Sequence, residues 1–232
     1  MIRRISSVLA LLLFLPVSAS GQPQPKEEGI EAEGYEWNEA KGEKMEALEL
    51  TGDVENGEEI YEICSACHLP SGAGRPDGTF PQLAGQHSTV LIKQMADIRM
   101  GLRDNPIMYP FAKTMVDPQE LADVSAYIQT LPIPGDNGRG SGENLDKGKE
   151  LYDANCVECH YQFGEGDQEK FYPVLAGQHY KYMLRQVTDI RDGRRRNANP
   201  DMVKIVKKYT DEELDAVVDY MSRLEWPERS GK

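Results

Sequence analysis

The sequence predicts an all-α fold made of two domains in tandem, each built around the same short motif. Three observations support this prediction. The chain of 232 residues repeats itself at a spacing of 92 residues, and such a repeat indicates duplicated structural units. Each copy ends in an amphipathic segment preceded by helix-start residues. A stretch rich in Gly, Pro, Asn and Asp lies between the copies, and it is typical of a linker.

The N-terminal residues are predicted to direct export and then to be removed. Arg3 and Arg4 precede an apolar run over 8–17, and residues 17–19 are small enough for a signal peptidase, so residues 1–19 are predicted to be a signal peptide. A retained membrane anchor is the alternative, but the run is well short of the roughly 20 residues that span a bilayer. The sequence therefore predicts a periplasmic location, free or membrane-associated, with no transmembrane segment in the mature chain.

Residues 20–51 are predicted to form an acidic, mostly flexible leader, because Glu, Gly, Gln and Pro dominate and few large apolar residues are present. Tyr35 and Trp37 are the leader residues most expected to pack against a folded domain. The leader is either a solvated spacer or a docking arm for a basic partner.

The formal net charge of the whole chain, −13, argues against nucleic acid as a partner, because phosphates attract basic proteins.

The motif Cys-X-X-Cys-His occurs twice and uses every cysteine in the chain. It covers residues 64–68 in the first repeat and 156–160 in the second. Two thiols at this spacing attach the vinyl groups of one haem as thioethers, and the next histidine is an iron ligand under the ring. The sequence therefore predicts two covalently bound haem c groups. Their attachment cysteines and iron-binding histidines are Cys64, Cys67, His68, Cys156, Cys159 and His160.

Longer matched stretches extend the repeat beyond the cysteines. Residues 80–87 (FPQLAGQH) match 172–179 (YPVLAGQH) at the same spacing of 92 residues. The tetrapeptides NPIM and NPDM, which end at Met108 and Met202, match at a spacing of 94 residues, and so a small insertion lies in a loop of the second copy. We predict a first domain at 52–132, a linker at 133–143, a second domain at 144–227 and a tail at 228–232.

Each repeat is predicted to end in a helix that packs on the core. Segments 117–120 (DPQE) and 210–213 (TDEE) carry the residues of a capping box. Tyr127 and Tyr220 occupy matching positions in these helices. Each ring is expected to pack near Gly57 or Gly148 against the entering helix, the helix that leads into the Cys-X-X-Cys-His motif of the same repeat. Apolar residues at helical spacing follow each cap. They are Leu121, Val124, Ile128 and Leu131 in the first copy, and Leu214, Val217, Val218, Met221 and Leu224 in the second.

This order of motifs resembles class I cytochrome c domains, and the tandem pair resembles the dihaem cytochromes of the cytochrome c4 type over about residues 52–227. The resemblance implies that each domain wraps around one covalently attached haem and that the protein carries electrons without being an enzyme. It implies Met108 and Met202 as the second axial iron ligands, so that each haem has His/Met ligation. It also implies that the carbonyls of Pro81 and Pro173 hold the ligating histidines.

Other side chains compete for some of these roles. His87 and His179 are the only further histidines and also occupy matching positions, so bis-histidine ligation is an alternative. Met115 is a second methionine candidate in the first domain. Arg99 and Arg191 either bind haem propionates through paired hydrogen bonds or form surface ion pairs.

The leading functional prediction is a one-electron carrier between respiratory redox proteins. A membrane-bound respiratory complex or a terminal oxidase is a candidate for its electron donor or acceptor. The alternatives are an electron-transfer subunit of a larger oxidoreductase complex and a dihaem peroxidase-like enzyme with one open haem, which needs a vacant iron position. A zinc- or disulfide-stabilised binding module explains the cysteines but leaves the repeated methionines unexplained.

Charge is distributed unevenly along the chain. The leader and the start of the first domain are acidic, whereas basic residues collect in the second domain. We expect the resulting field to orient redox partners and to make their association rate depend on salt. The basic residues are Arg185, Arg191, Arg194, Arg195, Arg196, Lys204, Lys207 and Lys208.

Overall fold

The structure, a computed structural model, describes residues 36–229. The predicted signal peptide, the leader up to residue 35 and the last three residues lie outside this range. Within it, the regular structure consists of ten helices and one isolated bridge between Asp167 and Tyr172. The all-α prediction is therefore confirmed.

The helices fall into two successive groups that follow the sequence repeat. None of those in residues 36–229 is long and apolar enough to cross a bilayer. In chain order they are α1 (Glu43–Glu49), α2 (Val54–His68), α3 (Ser88–Met100), α4 (Tyr109–Ala112), α5 (Pro118–Thr130), α6 (Leu145–Asn155), α7 (Val157–His160), α8 (Tyr180–Arg191), α9 (Pro200–Val206) and α10 (Asp211–Met221).

In both domains the entering helix crosses the closing helix at a glycine. A Cβ atom on Gly57 of α2 would lie 2.1 Å from the carbonyl oxygen of Asp123 in α5 and 2.9 Å from Cβ of Tyr127. Gly148 of α6 meets Ala216 and Tyr220 of α10 at the same two distances. Only glycine permits so close an approach of two helix backbones. The predicted contacts of the two tyrosines with the entering helices are thus confirmed.

The closing helices start as their sequences predict. Asp117 accepts a hydrogen bond at the start of α5, and Glu120 reaches back to complete the capping box. Thr210 and Glu213 form the equivalent box at α10. The apolar stripes behind these caps are buried, except for Leu131, which is half-buried. Local chemistry therefore fixes the helices that close each domain.

Part of the predicted leader is folded. Residues 43–49 form α1, which packs on α3 and α5 with Ala47 completely buried against Ile92 and Leu121. Its Lys44 is also buried, 3.6 Å from a carboxylate oxygen of Asp97. The prediction of a mostly flexible segment is wrong for these residues, because burial of Ala47 and the ion pair of Lys44 offset the cost of ordering them.

The two domains contact each other through a reciprocal exchange of glutamines. Gln178 of the second domain accepts from the amide of Gln82 at 3.0 Å and donates to its carbonyl at 2.8 Å. Gln86 of the first domain makes the same two bonds to Val174, at 2.9 and 3.1 Å. Because Gln82 and Val174 are equivalent in the repeat, the two domains are related by an approximate two-fold exchange.

The linker and the start of the tail are bound to both domains. Ile133 is buried between them and packs beside Val174 and Trp226. Asn137 donates to carbonyls of the second domain, at Gln178 and Ser222. Arg229 in the tail donates to the carbonyl of Gln129 in the first domain. These bonds fix the relative placement of the domains.

Candidate haem-attachment sites

The two Cys-X-X-Cys-His motifs lie at the ends of the entering helices. In the first domain the motif forms the last turns of α2. In the second domain the helix is interrupted at Cys156, whose φ is −113° and ψ is −34°, and the motif continues as the short helix α7. All four cysteines are free and half-buried. Each helix therefore presents two thiols and one imidazole from consecutive turns.

Each motif histidine is buried and held by one ring nitrogen. Nδ1 of His68 lies 2.9 Å from the carbonyl oxygen of Pro81, and Nδ1 of His160 lies 3.1 Å from that of Pro173. Because a carbonyl oxygen accepts a hydrogen bond, Nδ1 carries the proton and Nε2 keeps its lone pair. Burial lowers the pKa of His68, and it lowers the pKa of His160 to about 4. Both rings are thus neutral and prepared to donate to a metal through Nε2.

The backbone turns sharply after each histidine. Leu69 has φ of 65° and Tyr161 has φ of 57°, both in the left-handed region that side chains disfavour. The hydroxyl of Tyr61 donates to the carbonyl of Leu69 at 2.9 Å, and that of Tyr152 donates to Tyr161 at 2.6 Å. These tyrosines stabilise the turn that ends the motif. Sequence reasoning missed them, although their matched positions in the repeat were a usable signal.

The thiols and the donor set fit a covalently attached haem. Burial raises the pKa of Cys64 to about 11 and that of Cys156 to about 12, so both are protonated thiols at neutral pH. Within residues 36–229, no group of three or more His, Cys, Asp or Glu side chains is arranged to hold a metal ion on its own. One oriented imidazole beside two thiols suits a metal that arrives within a macrocycle better than a structural zinc, which takes four protein ligands.

The methionine candidates lie in different apolar clusters. Met108 precedes α4 and packs with Ile98, Tyr109 and Ala112. Met202 lies in α9 and packs against the core of the second domain, the same cluster that Cys156 packs against. Both are half-buried.

Met115 is more deeply buried than Met108 and shares a cluster with Cys64. The carbonyl of Met115 accepts a hydrogen bond from Arg99, as the carbonyl of Tyr209 accepts one from Arg191. Tyr209 therefore occupies the place of Met115 in the second domain. A methionine ligand at this place would have no counterpart in the second domain, whereas Met108 and Met202 form a matched pair.

His87 and His179 are engaged between the domains. Nε2 of His87 lies 2.8 Å from the carbonyl oxygen of Glu165, and Nε2 of His179 lies 2.8 Å from that of Ala73. Nδ1 of His179 also accepts a hydrogen bond from the amide of Gly138 at 3.1 Å. These bonds occupy nitrogens that an iron ligand would need, and they give both histidines a role in domain contact.

The two arginines proposed for propionates have protein partners. Arg99 pairs with Glu43 of α1, in addition to its bond to Met115. Arg191 pairs with Asp192 and Asp211 at 2.8 and 2.6 Å. Both guanidiniums retain further N–H groups, since arginine has five. Binding of propionates by Arg99 and Arg191 remains a prediction.

Several residues of the basic cluster have hydrogen-bond or ion-pair partners within the protein. Arg194 pairs with Asp189 at 2.7 Å. Arg185, Arg195 and Arg196 donate across the domain interface to Gly78, Gln94 and Gly101. Carboxylates pair with Arg191, Arg194 and Lys204 and locally offset their charge, whereas Arg185, Lys207 and Lys208 remain exposed. The effect of this charge on a partner remains a prediction.

Comparisons with known proteins agree with this geometry. The family described as Cytochrome c matches residues 54–132 and 145–225. A cytochrome c4 from Azotobacter vinelandii is 34% identical over 189 residues, covering 75% of this chain and 90% of the relative. A thiosulfate dehydrogenase electron acceptor from Stutzerimonas stutzeri is 31% identical, with 76% and 90% covered. The crystal structure of reduced recombinant cytochrome c4 from Pseudomonas stutzeri superposes with a TM-score of 0.68 at 29% identity, covering 75% of this chain and all of that one.

Proposed function

The chain belongs to the cytochrome c family as a two-domain member of the cytochrome c4 type, and we propose that it carries single electrons between redox proteins of the periplasm. It is an electron-transfer protein with two covalently bound haem c groups. The observation that supports the proposal best is the duplicated site, in which each buried histidine is held by a proline carbonyl.

When bound, each haem supplies an iron that alternates between ferric and ferrous states. The protein provides attachment through Cys64 and Cys67, and through Cys156 and Cys159. His68 and His160 are each held through Nδ1. Because of this bond, the imidazole ring should reorient little when the charge of the iron changes. Apolar clusters beside each motif keep water away and limit competing chemistry.

We propose Met108 and Met202 as the second axial ligands. Three points support them over their competitors. The two methionines are matched in the repeat, Met115 has Tyr209 in its place in the second domain, and both His87 and His179 bond to carbonyls of the opposite domain. Thioether donation is typical of carriers with a higher reduction potential.

A matched set of variants tests this ligation. Met108→Ala and Met202→Ala should each convert one haem to a high-spin species and leave the other low-spin. Met115→Ala is the control and should keep both haems low-spin, with a modest loss of stability from its buried position. Optical spectra and mass spectrometry of the mature protein check spin state and haem count. The assignment fails if Met115→Ala, rather than Met108→Ala, produces the high-spin haem, or if a His87 or His179 variant does.

We propose that the partners are an oxidoreductase donor and a membrane-bound respiratory complex or terminal oxidase as acceptor. The similarity to a thiosulfate dehydrogenase electron acceptor supports an oxidoreductase as donor. We also propose export through the signal peptide at 1–19. Mass spectrometry of the N-terminus from a periplasmic fraction tests the export. A mature chain that still contains residues 1–19 would contradict the proposed cleavage.

The alternative of a dihaem peroxidase-like enzyme requires a vacant or displaceable iron position. A matched methionine in both domains argues against such a vacancy. Addition of peroxide to the reduced protein discriminates the two functions. A carrier should be oxidised slowly without turnover, whereas rapid peroxide consumption with a high-spin haem would support the enzyme.

A further inference from the structure

Trp37 of the leader touches both domains although it lies outside both repeats. Its ring stacks on Tyr172 with centroids 6.3 Å apart and planes 11° apart, and it meets the edge of Phe171 at 6.3 Å. Nζ of Lys93 in α3 also lies 5.2 Å from the ring centroid. Stacked aromatic pairs and a cation over an indole ring are each favourable. One leader side chain thus links the first domain to a loop of the second.

The helix that follows Trp37 in the leader, α1, is held on the first domain by burial and by ion pairs. Ala47 of α1 is completely buried on the first domain. Lys44 lies 3.6 Å from Asp97, and Glu43 pairs with Arg99. Five residues separate Trp37 from Glu43, the first of these ion-pair residues in the chain. The indole ring is therefore tethered over a short distance to an element that the first domain holds in place.

The loop beneath Trp37 carries backbone strain. Phe171 has φ of 59°, in the left-handed region that a bulky side chain disfavours. The equivalent residue of the first domain, Thr79, is not among the described non-glycine residues with positive φ. The strained loop is closed by two hydrogen bonds between Asp167 and Tyr172, at 2.9 and 2.8 Å. Surrounding contacts must hold such a conformation, and Trp37 supplies two of them.

The same loop holds the iron-binding histidine of the second domain. The ring of Tyr172 lies 6.4 Å from that of His160, and the next residue is Pro173, whose carbonyl oxygen is 3.1 Å from Nδ1 of His160. In the first domain the ring of the equivalent Phe80 likewise lies 6.0 Å from that of His68, but its other neighbour is the guanidinium of Arg75, 5.8 Å from the ring centroid, and not a leader residue. The contact with the leader is therefore specific to the second site.

We infer that residues 36–49 form a strap that fixes the histidine-holding loop of the second domain against the first domain, with Trp37 as its positioning residue. The strap restrains Tyr172 and Pro173 together, and through them the orientation of His160. Its consequence for the iron of the second haem rests on the proposed function. Phe80, the equivalent of Tyr172 in the first domain, has no described ring contact with residues 36–49, so Trp37 does not restrain the loop that holds His68.

Hydrogen exchange of the mature protein with its haems tests the strap directly. In Trp37→Ala, the amides of Asp167 and Tyr172 should exchange about tenfold faster, because both the stacked aromatic pair and the apolar area that it buries are lost. The amide of Arg75, which donates to Phe80 at 2.9 Å, is the matched probe in the first domain and should not change. Trp37→Phe should restore most of the protection. Asn38→Ala, at the exposed neighbouring position, should behave as wild type.

A redox titration with haem-specific NMR assignment provides the second measurement. Trp37→Ala should shift the potential of the second haem and leave that of the first unchanged. Unchanged exchange at Asp167 and Tyr172, an equal rise at Arg75, or equal shifts at both haems overturns the inference. The exchange pattern does not depend on which methionine binds the iron, so a failure of the proposed ligation is recognised separately by a high-spin spectrum.

Discussion

The two domains share a coordination unit but support it differently. In the first domain, α2 runs unbroken through the motif, and α1 adds a layer that buries Lys44 and Lys93 around Asp97. In the second domain the helix breaks at Cys156, and the residue equivalent to Asp97 is the partly exposed Asp189, paired with Arg194. The histidine, its proline carbonyl and the helix-crossing glycine are the same in both. The shared features are those that the haem site needs, and the differing features belong to the surroundings.

The largest expected difference between the domains concerns the buried ionic cluster. Asp97 is 2.5 Å from Lys93, 3.6 Å from Lys44 and 2.8 Å from the amide of Asn197. Asp97→Asn leaves two buried lysines without their anion and should destabilise the first domain by about 3 to 5 kcal/mol. The matched Asp189→Asn should cost about 1 kcal/mol or less, because that pair is partly exposed.

Denaturant unfolding followed at each haem measures both losses. Equal losses from Asp97→Asn and Asp189→Asn would show that burial does not distinguish the two sites. The distinction would also fail if Asp97→Asn unfolded the second domain first.

Substitutions of the interface glutamines should weaken domain docking equally from either side, in contrast to substitutions at Asp97 and Asp189. Gln86→Ala and Gln178→Ala each leave one buried amide and one buried carbonyl unpaired, so each should cost about 3 kcal/mol of domain docking. Gln82→Val is the control, because valine already occupies the equivalent position 174. Its backbone bonds to Gln178 remain, and only the hydrogen bond from its side chain to the carbonyl of Ala84 is lost, so a smaller loss is expected.

Calorimetry of the three glutamine variants checks this symmetry. Docking should loosen to a similar extent in Gln86→Ala and Gln178→Ala. A large loss from Gln82→Val, or from only one of the two alanine variants, would break the two-fold description of the interface.

Substitution of the crossing glycines should also affect the domains equally. Alanine at Gly57 or Gly148 gains about 1 kcal/mol of helix propensity. The added Cβ would lie 2.1 Å from a backbone carbonyl oxygen, and the helices must separate. We expect a net loss of about 2 kcal/mol in the domain that carries the change. Thermal unfolding of Gly57→Ala and Gly148→Ala measures this loss, and a stabilised variant would contradict the observed crossing.

The smallest expected effect is a pH dependence confined to the first domain. Burial lowers the pKa of Lys93 to about 8, although Asp97 opposes this shift. An unfolded lysine titrates near 10.4, so between about pH 8 and 10.4 the unfolded state binds more protons and stability rises with pH. We expect a gain of about 1 kcal/mol between pH 7 and pH 9.

The second domain provides the control for this titration, because Arg185 occupies the position equivalent to Lys93 and does not titrate. Unfolding at each haem should show the pH-dependent gain in the first domain alone. In Lys93→Met the gain should disappear. If it persists there, another group is responsible.

The sequence predicted what local chemistry and the repeat control. The boxes at Asp117 and Thr210, and the contacts of Tyr127 and Tyr220, follow from residues close in sequence or matched between copies. Helix α1 was missed because it has few apolar residues and depends on Asp97, which is far away in the sequence. The turns at Leu69 and Tyr161 were missed because neither residue is glycine.

The roles of the interface residues also lay beyond sequence reasoning. The matched positions of His87 and His179 make them candidate iron ligands, yet both bond to the opposite domain. Gln86 and Gln178 attracted no functional interpretation, although they form the centre of the interface. These contacts depend on how the domains are placed, which neither periodicity nor capping residues reveal.

The reciprocal glutamine bonds have a consequence for assembly. Because the same surface of each domain meets its equivalent, the chain is in effect a dimer whose two subunits are joined end to end. The linker at 133–143 raises the effective concentration of one subunit near the other, so their association does not depend on how dilute the protein is. The two electron-carrying centres therefore stay paired even when the protein is scarce.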